Sequence, residues 1–356
     1  LKAARLQSAT ARWLHQQWQA RGFWPWLLWP LSGLVRCYVF AKGHWYQRDP
    51  KRVYRAPVPV VIVGNLYVGG VGKTPVVIAL VQALLAQGWN PGVISRGYGV
   101  KLGPNARVGQ GKLDAQAMGD EPTLISEQTH APVCVHPNRR LACQALLQAY
   151  PEVDVIVSDD GLQYLALARD FEIIVQDQRL IGNGWLLPAG PLREPPSRLR
   201  SADLVITRRA SPHQHNAPQA PRPPTELSMW LQITGLHSLD NKINLSVEEF
   251  IKLHKNKTTT AIAAISEPDR FFQTLNDSAI QHQNSIGLPD HHRLDTAFFS
   301  AQQADLLLIT TKDAVKCRAS RDSRIWVVAT EAVFSDPLWA NKLSKQLPRL
   351  ARLQPD

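Results

Sequence analysis

Val58-Pro59-Val60-Val61-Ile62-Val63-Gly64-Asn65-Leu66-Tyr67-Val68-Gly69-Gly70-Val71-Gly72-Lys73-Thr74 runs from an apolar segment into a glycine-rich loop and a Lys-Thr pair. A helical pattern follows from Thr74 to Gln87 and stops at Gly88. Strand, glycine loop, Lys-Thr and helix in this order form a phosphate-binding loop. The glycines let backbone N–H groups converge on phosphate oxygens, and the helix N-terminus adds a favourable dipole. The expected ATP-binding residues are Gly69, Gly70, Val71, Gly72, Lys73 and Thr74. Lys73 would reach the β- and γ-phosphates, and the Thr74 hydroxyl would ligate Mg²⁺.

The spacing departs from G-x-x-x-x-G-K-[ST], whose first glycine would fall at Tyr67. The form present looks more like the variant loop of ParA/MinD ATPases. That class carries a second lysine where this chain has Val68. A ParA/MinD-like membrane-surface ATPase switch is therefore the alternative to a kinase.

Val153-Asp154-Val155-Ile156-Val157-Ser158-Asp159-Asp160 is an apolar strand ending in two carboxylates. Such a strand end, downstream of a phosphate loop, is the expected place for Mg²⁺ ligands. Asp120 and Glu121, in Met118-Gly119-Asp120-Glu121-Pro122, suit either an acidic helix N-terminus or a source of a general base. Leu288-Pro289-Asp290-His291-His292 offers an Asp–His pair, which a phosphotransferase acting on a hydroxyl can use as proton acceptor. Leu186 to Pro195 reads as a rigid Pro/Gly turn presenting Arg193 and Glu194 as an exposed ion pair, with Arg193 suited to gripping a phosphate.

Around these motifs apolar runs recur at βα spacing, at 58–64, 92–95, 132–135, 153–158, 171–175 and 204–207. The pattern predicts an α/β fold: a P-loop NTPase-like domain with a mainly parallel sheet. Residues 210–224 hold five prolines and read as a linker or exposed loop. Beyond it, 260–265, 305–310 and 325–328 predict a smaller C-terminal α/β domain. The expected organisation is an N-terminal segment 1–55, a kinase domain 56–209, the linker, and a second domain 225–356 completing the cleft.

The charge is uneven. Residues 1–55 carry ten Lys/Arg against the single acid Asp49, and six of the eleven tryptophans. Phe23 to Val35 is thirteen residues without charge, interrupted by Pro25 and Pro30 and closed by Arg36. As a helix it spans roughly 20 Å, short of a ~30 Å hydrocarbon core. No small-residue cleavage site follows, so a signal peptide is not expected. The segment reads as an interfacial anchor with Trp at headgroup depth and Arg/Lys toward anionic lipid. No nucleic-acid motif accompanies the charge, and no obligate protein partner is evident. The four cysteines lack metal spacing and fit reduced, buried thiols.

Taken together, these segments resemble the tetraacyldisaccharide 4′-kinase family of lipid A biosynthesis. The matching pieces are Gly64–Pro75, Ser95–Gly99, Gly119–Pro122, Asn138-Arg139, Asp159–Gln163, Gly182–Gly184 with Leu187–Pro195, Asp290-His291 and Lys312–Lys316. The resemblance implies ATP- and Mg²⁺-dependent transfer of the γ-phosphoryl group to the 4′-hydroxyl of a lipid A disaccharide 1-phosphate, giving lipid IVA at the cytoplasmic face of the bacterial inner membrane. It implies a base dyad of Asp120 and His291, with Lys73 also catalytic. Asp159, Asp160 and Glu121 join Thr74 around the metal, and Arg193, Glu194, Asn183, Gln163 and Arg96 lie at the substrate end. Five positions depart from the family pattern: Tyr164 stands for a usual His, Thr311 for a Glu, Arg208-Arg209 for a common Asn-Gly, and Leu288 for a frequent Phe.

Overall fold

The computed structural model describes residues 13, 16–211 and 225–348. Most of the expected linker, and the basic residues Lys2, Arg5 and Arg12, lie outside the described residues. Thirteen strands join one sheet. In chain order they are β1 (Val60–Gly64), β2 (Pro91–Ser95), β3 (Arg107–Gly109), β4 (Val133–Val135), β5 (Val155–Asp159), β6 (Phe171–Asp177) and β7 (Leu204–Arg208), then β8 (Glu226–Ser238), β9 (Asn244–Leu245), β10 (Thr259–Ala263), β11 (Asn284–Gly287), β12 (Leu306–Thr310) and β13 (Ile325–Phe334). The strand order is β11-β10-β12-β13-β8-β7-β6-β1-β5-β2-β4-β3, with β9 beside β8.

Every residue of β1, β2 and β5 is buried. A strand covered on both faces reads as an unbroken Val/Ile run rather than an alternating one, as expected for a parallel sheet under helices. β1 pairs in parallel with β5 and β6, and the register sets Val63 opposite Asp159. The end of β5 thus lies level with the start of the glycine loop. Helices α1 (Phe23–Arg48), α2 (Lys73–Ala86), α3 (Asp120–Thr129), α4 (Arg139–Ala149), α5 (Pro268–Asp277) and α6 (Trp339–Ser344) complete the part of the fold that matters here.

The C-terminal strands β10–β13 form a parallel block with apolar clusters on both faces. The block is continuous with the first half through β8. That strand runs parallel to β7 over its first residues and antiparallel to β13 along most of its length. The chain then returns to the first half: Trp339, Ala340 and Leu343 of α6 belong to the same buried cluster as Leu80 and Leu84 of α2. β8 lacks a clean alternation because its register with β13 slips at Thr234, so Met229 and Ile233 are buried on one side of the slip and Leu236, of the other parity, beyond it.

The N-terminal segment differs from its sequence reading in one respect. Pro25 and Pro30 do not interrupt it: α1 is one helix of 26 residues, with Pro30 inside it. Pro25 sits in the first turn, where its missing N–H costs nothing. Only Pro25 and Ser32 of this helix are buried. The Ser32 hydroxyl donates to the Leu186 carbonyl at 2.8 Å and accepts from the Ala189 N–H at 3.0 Å. Trp26 stacks edge-on with Trp185, ring centroids 4.9 Å apart. The opposite face carries Phe23, Leu27, Leu31, Leu34, Tyr38 and Trp45, all exposed. Among the described residues no helix is long and apolar enough to cross a membrane. Cys134, Cys143 and Cys317 are buried free thiols, each pushed up to about 12 by removal from water. Cys37, on α1, is exposed rather than buried.

Candidate active site

The loop after β1 is braced by its own asparagine. The Asn65 side-chain N–H₂ donates to the carbonyls of Tyr67 and Gly69, and its oxygen accepts from Lys73 Nζ at 3.0 Å. Lys73 is thereby held 3.4 Å from Asp160. Gly72 caps α2 with φ 96° and Gly69 has φ 94°, backbone conformations that side-chain-bearing residues rarely adopt. The Leu187–Pro195 run lies along this loop: Val68 N–H donates to the Pro191 carbonyl at 2.9 Å, and Arg193 N–H to the Leu66 carbonyl at 2.8 Å. That pairing delivers Arg193 to the strand-end acids.

Asp159 and Asp160 have contrasting surroundings. Asp160 faces Lys73 and Arg193, both at 3.4 Å, and these cations hold its carboxyl below the usual carboxylate range despite burial. Asp159 is fully withdrawn from water. One of its oxygens accepts from Ser95 Oγ at 3.2 Å and the other has no hydrogen-bond partner. Burial, then the nearby Glu121 carboxylate, push it up to about 7. Buried Arg139 fixes the backbone beneath both acids, donating to the carbonyls of His136 at 3.0 Å and Asp159 at 3.1 Å.

Asp120 and Glu121 occupy the first turn of α3, after Gly119 at φ 94°. The acidic helix N-terminus expected from the sequence is therefore formed. Asp120 accepts from His291 Nδ1 at 2.9 Å, with Lys316 3.8 Å away. The His291 ring lies 5.3 Å from that of Tyr98, and Asp290 stands 3.8 Å from its other nitrogen. Glu121 pairs with Lys312 at 3.0 Å, and Lys312 also reaches Asp290 at 3.2 Å. These contacts join α3 to the segments that follow β11 and β12.

The expected Arg193–Glu194 ion pair does not form. Adjacent residues of an extended turn point apart, and each finds a different partner. Arg193 faces Asp160, with Gln163 Oε1 at 3.3 Å. Glu194 is buried, accepts from Gln163 Nε2 at 2.8 Å and pairs with Arg198 at 3.3 Å. Its removal from water raises its pKa. Asn183 is buried and ties its own loop together, donating to the Ala189 carbonyl at 2.9 Å and accepting from Trp185 N–H at 3.0 Å. Arg96 is exposed just beyond the end of β2. Tyr164 donates to Asn138 Oδ1 at 2.9 Å, reinforcing the cap of α4. Thr311 lines the cavity described next, and Leu288 packs on the C-terminal core.

A cavity of about 180 Å³ opens above the loop, between Gly70–Pro75 on one side and Ser266, Phe271 and Lys312 on the other. The contributions of Asn65, Ser95, Arg139 and Lys312 carry no assignment from sequence, and Asp290, the sequence neighbour offered as the partner of His291, stands 3.8 Å from its ring while Asp120 is at 2.9 Å. Asn138-Arg139 and Lys312-Asp313 stood among the matching segments, but nothing local marks a buried arginine as the clamp on an acidic pair.

A glycine loop at the carboxyl end of the central strand, an acidic pair at the end of its neighbour and a helix beginning at Lys73 define a P-loop nucleotide-binding α/β protein. The profile of the family described as tetraacyldisaccharide-1-P 4′-kinase matches residues 24–348, and the chain belongs to that family. It is 48% identical over 336 residues to the tetraacyldisaccharide 4′-kinase of Bordetella parapertussis, covering 94% of this chain and 96% of that one. The enzyme of the same name from Pasteurella multocida is 42% identical over 319 residues, with 89% and 93% covered. A crystal structure of the Aquifex aeolicus protein LpxK in complex with ATP shares the fold at TM-score 0.75 and 24% identity, covering 91% of this chain and 98% of that one.

Proposed function

We propose that this protein transfers the γ-phosphoryl group of ATP to the 4′-hydroxyl of a tetraacyldisaccharide 1-phosphate, the step that gives lipid IVA in lipid A biosynthesis. The observation that carries this reading is the meeting of two constellations at one cleft. Lys73 and the strand-end acids form one, and the Asp120–His291 pair, at 2.9 Å, the other; Glu121, next to Asp120, lines the cavity over the loop with Lys73 and is near enough to Asp159 to raise its pKa. The triphosphate rests on Gly69–Thr74, with Lys73 and the loop amides offsetting its charge. Asp120, oriented by His291, takes the proton of the attacking hydroxyl.

The acids suit Mg²⁺. Asp159 has an unpartnered buried oxygen beside the like charge of Glu121, which a hard cation would satisfy. Among the described residues no three His, Cys, Asp or Glu side chains form a ready-made metal cage. That agrees with an ion held by one or two carboxylates and by the nucleotide's own phosphates. Asp159 and Thr74 would hold it, with Asp160 and Glu121 close by. Its chemistry there is neutralisation of charge on the phosphoryl oxygens.

Arg193, fixed beside Asp160, grips the substrate end together with Gln163 and Arg96. Glu194 and Asn183 act by holding the Arg193 turn in place. The exposed apolar face of α1 lies on the cytoplasmic face of the inner membrane, with Arg36 and Arg48 toward anionic headgroups. Lys42 Nζ donates to the Gln163 carbonyl at 3.1 Å, so the helix is bonded to the substrate end of the cleft. The acyl chains then need not leave the bilayer.

The test is transfer of labelled γ-phosphate from ATP to a tetraacyldisaccharide 1-phosphate in detergent micelles, for wild type, Lys73→Ala and Asp120→Ala. Labelled lipid from wild type alone supports the reading. Lipid-independent ATP hydrolysis with no labelled lipid would replace it with the membrane-surface switch.

A further inference from the structure

Three arginines and two carboxylates crowd beside the phosphate loop, and the pairing leaves one arginine over. Arg179 takes Asp177 and Glu267, each at 2.7 Å, and the Gly70 carbonyl at 2.8 Å. Arg270 takes Asp177 at 2.8 Å. The Arg208 side chain makes no hydrogen bond or ion pair with any described residue, its backbone being paired within the sheet. It is the last residue of β7, at the carboxyl end of a strand parallel to β6, and it is only partly exposed. A Cβ placed on Gly72 would lie 2.9 Å from Arg208 Cδ and 3.4 Å from one of its terminal nitrogens. The side chain therefore lies against the loop one residue before Lys73, and it lines the same cavity as Gly70–Pro75. Removal from water and the facing Arg270 push its pKa down to about 10. A half-buried cation facing other cations costs free energy unless an anion joins it.

We propose that Arg208 grips the β/γ end of the ATP triphosphate as a second cation beside Lys73. The inference rests on the reading of Gly69–Thr74 as the phosphate cradle. A guanidinium suits this place because its planar fork offers two parallel N–H donors to one phosphate, where Lys73 acts as a point charge. Asp177 and Glu267 attract Arg208 from a distance, but their hydrogen bonds go to Arg179 and Arg270. Arg208 is the last residue of β7 and its side chain is bonded to no described residue, so Arg208→Asn is a substitution the fold should accept.

The experiment measures binding of ATP, ADP, AMP and inorganic pyrophosphate to wild type, Arg208→Asn, Arg208→Lys and Lys73→Ala by calorimetry, with kcat and KM for ATP alongside. Losing charge-assisted hydrogen bonds predicts roughly 10- to 100-fold weaker ATP, ADP and pyrophosphate binding in Arg208→Asn. AMP binding should stay within about twofold, and Arg208→Lys should recover part of the loss. Wild-type affinity of Arg208→Asn for ATP and pyrophosphate would overturn the proposal. So would an equal loss for AMP, since the arginine would then support the nucleoside side or the loop itself. Lys73→Ala separates the two levels. If it also binds pyrophosphate like wild type, the loop reading has failed. If it has lost pyrophosphate while Arg208→Asn has not, only the role of Arg208 has.

Discussion

His291 Nδ1 lies 2.9 Å from Asp120 Oδ2, although 171 positions separate the two residues in the chain. Asp120 opens α3 in the first half of the sheet, and His291 follows β11 in the second. His291 has φ 62°, an uncommon backbone conformation for a non-glycine residue, and its N–H donates to Asp290 Oδ1 at 3.0 Å. The pair thus exists only when both halves of the sheet are in place.

A base acting on the acceptor hydroxyl affects the chemical step and not nucleotide affinity. Asp120→Ala should lower kcat by roughly 10²–10⁴ while the Kd for ATP stays within about twofold. His291→Ala should lower kcat in the same direction. The double variant should fall by less than the product of the two, because the groups act as a unit. Steady-state kinetics with calorimetric Kd values test this. An unchanged kcat in Asp120→Ala removes it as the base.

Asp159 predicts a pH dependence of its own. In the folded protein it keeps its proton up to about pH 7, because burial and Glu121 disfavour the charge. In the unfolded chain it loses the proton near the ordinary value of about 4. The folded state therefore binds the extra proton between these values, and the stability associated with this group falls as pH rises from about 4 to about 7. Above that the loss is complete and constant. Asp159→Asn cannot ionise, so melts of the nucleotide-free variant between pH 5 and 8 should show a flatter pH profile. The variant should be more stable than wild type at pH 8, and a parallel pair of profiles would contradict the assignment.

Arg139 is 2% exposed, and its guanidinium bonds to the carbonyls of His136 and Asp159. Arg139→Ala leaves those carbonyls unsatisfied and opens a void beneath the acidic pair. The expected cost is about 3 kcal/mol in urea denaturation, with weaker Mg·ATP binding. A denaturation midpoint equal to wild type would show that water replaces the arginine without loss.

The outer face of α1 should contribute to membrane binding and little to folding. Leu27 and Leu34 are 58% and 68% exposed. Leu27→Glu and Leu34→Glu should leave the thermal midpoint within about 2 °C, since surface changes rarely exceed ~0.5 kcal/mol. Each should weaken binding to anionic vesicles by at least roughly tenfold, given ~1.5–3 kcal/mol for burying a leucine side chain. Cosedimentation with vesicles of phosphatidylethanolamine and phosphatidylglycerol measures this. Undiminished binding by the double variant would place the contact elsewhere.

The nucleotide half was open to sequence reading because its information is local. Val60–Val63, the glycines, Lys73 and Thr74 follow one another, and the period of a buried parallel strand is visible as a run of Val and Ile. Asp159-Asp160 at the end of another such run could be placed beside the loop before its register with β1 was known. The resemblance added Asp120 and His291 as partners, which no local signal joins. Strands β3, β8, β9 and β11 were not anticipated. β3 and β9 have only three and two residues. The residues of β11 are mostly exposed, and the parity of β8 slips at Thr234, so neither shows the usual alternation.

By itself the sequence determined a P-loop α/β protein, its family, the phosphate cradle, the acidic pair and a basic, Trp-rich N-terminal segment, because each is written in neighbouring residues. Only the tertiary structure decided who pairs with whom. It set Glu194 inward on Gln163 and Arg193 against Asp160, placed Arg139 under the acids, and laid the Arg208 side chain beside Gly72 with no hydrogen bond or ion pair to a described residue. Charge pairing within a few ångströms depends on which strand ends the sheet brings together, and sequence spacing does not encode that distance.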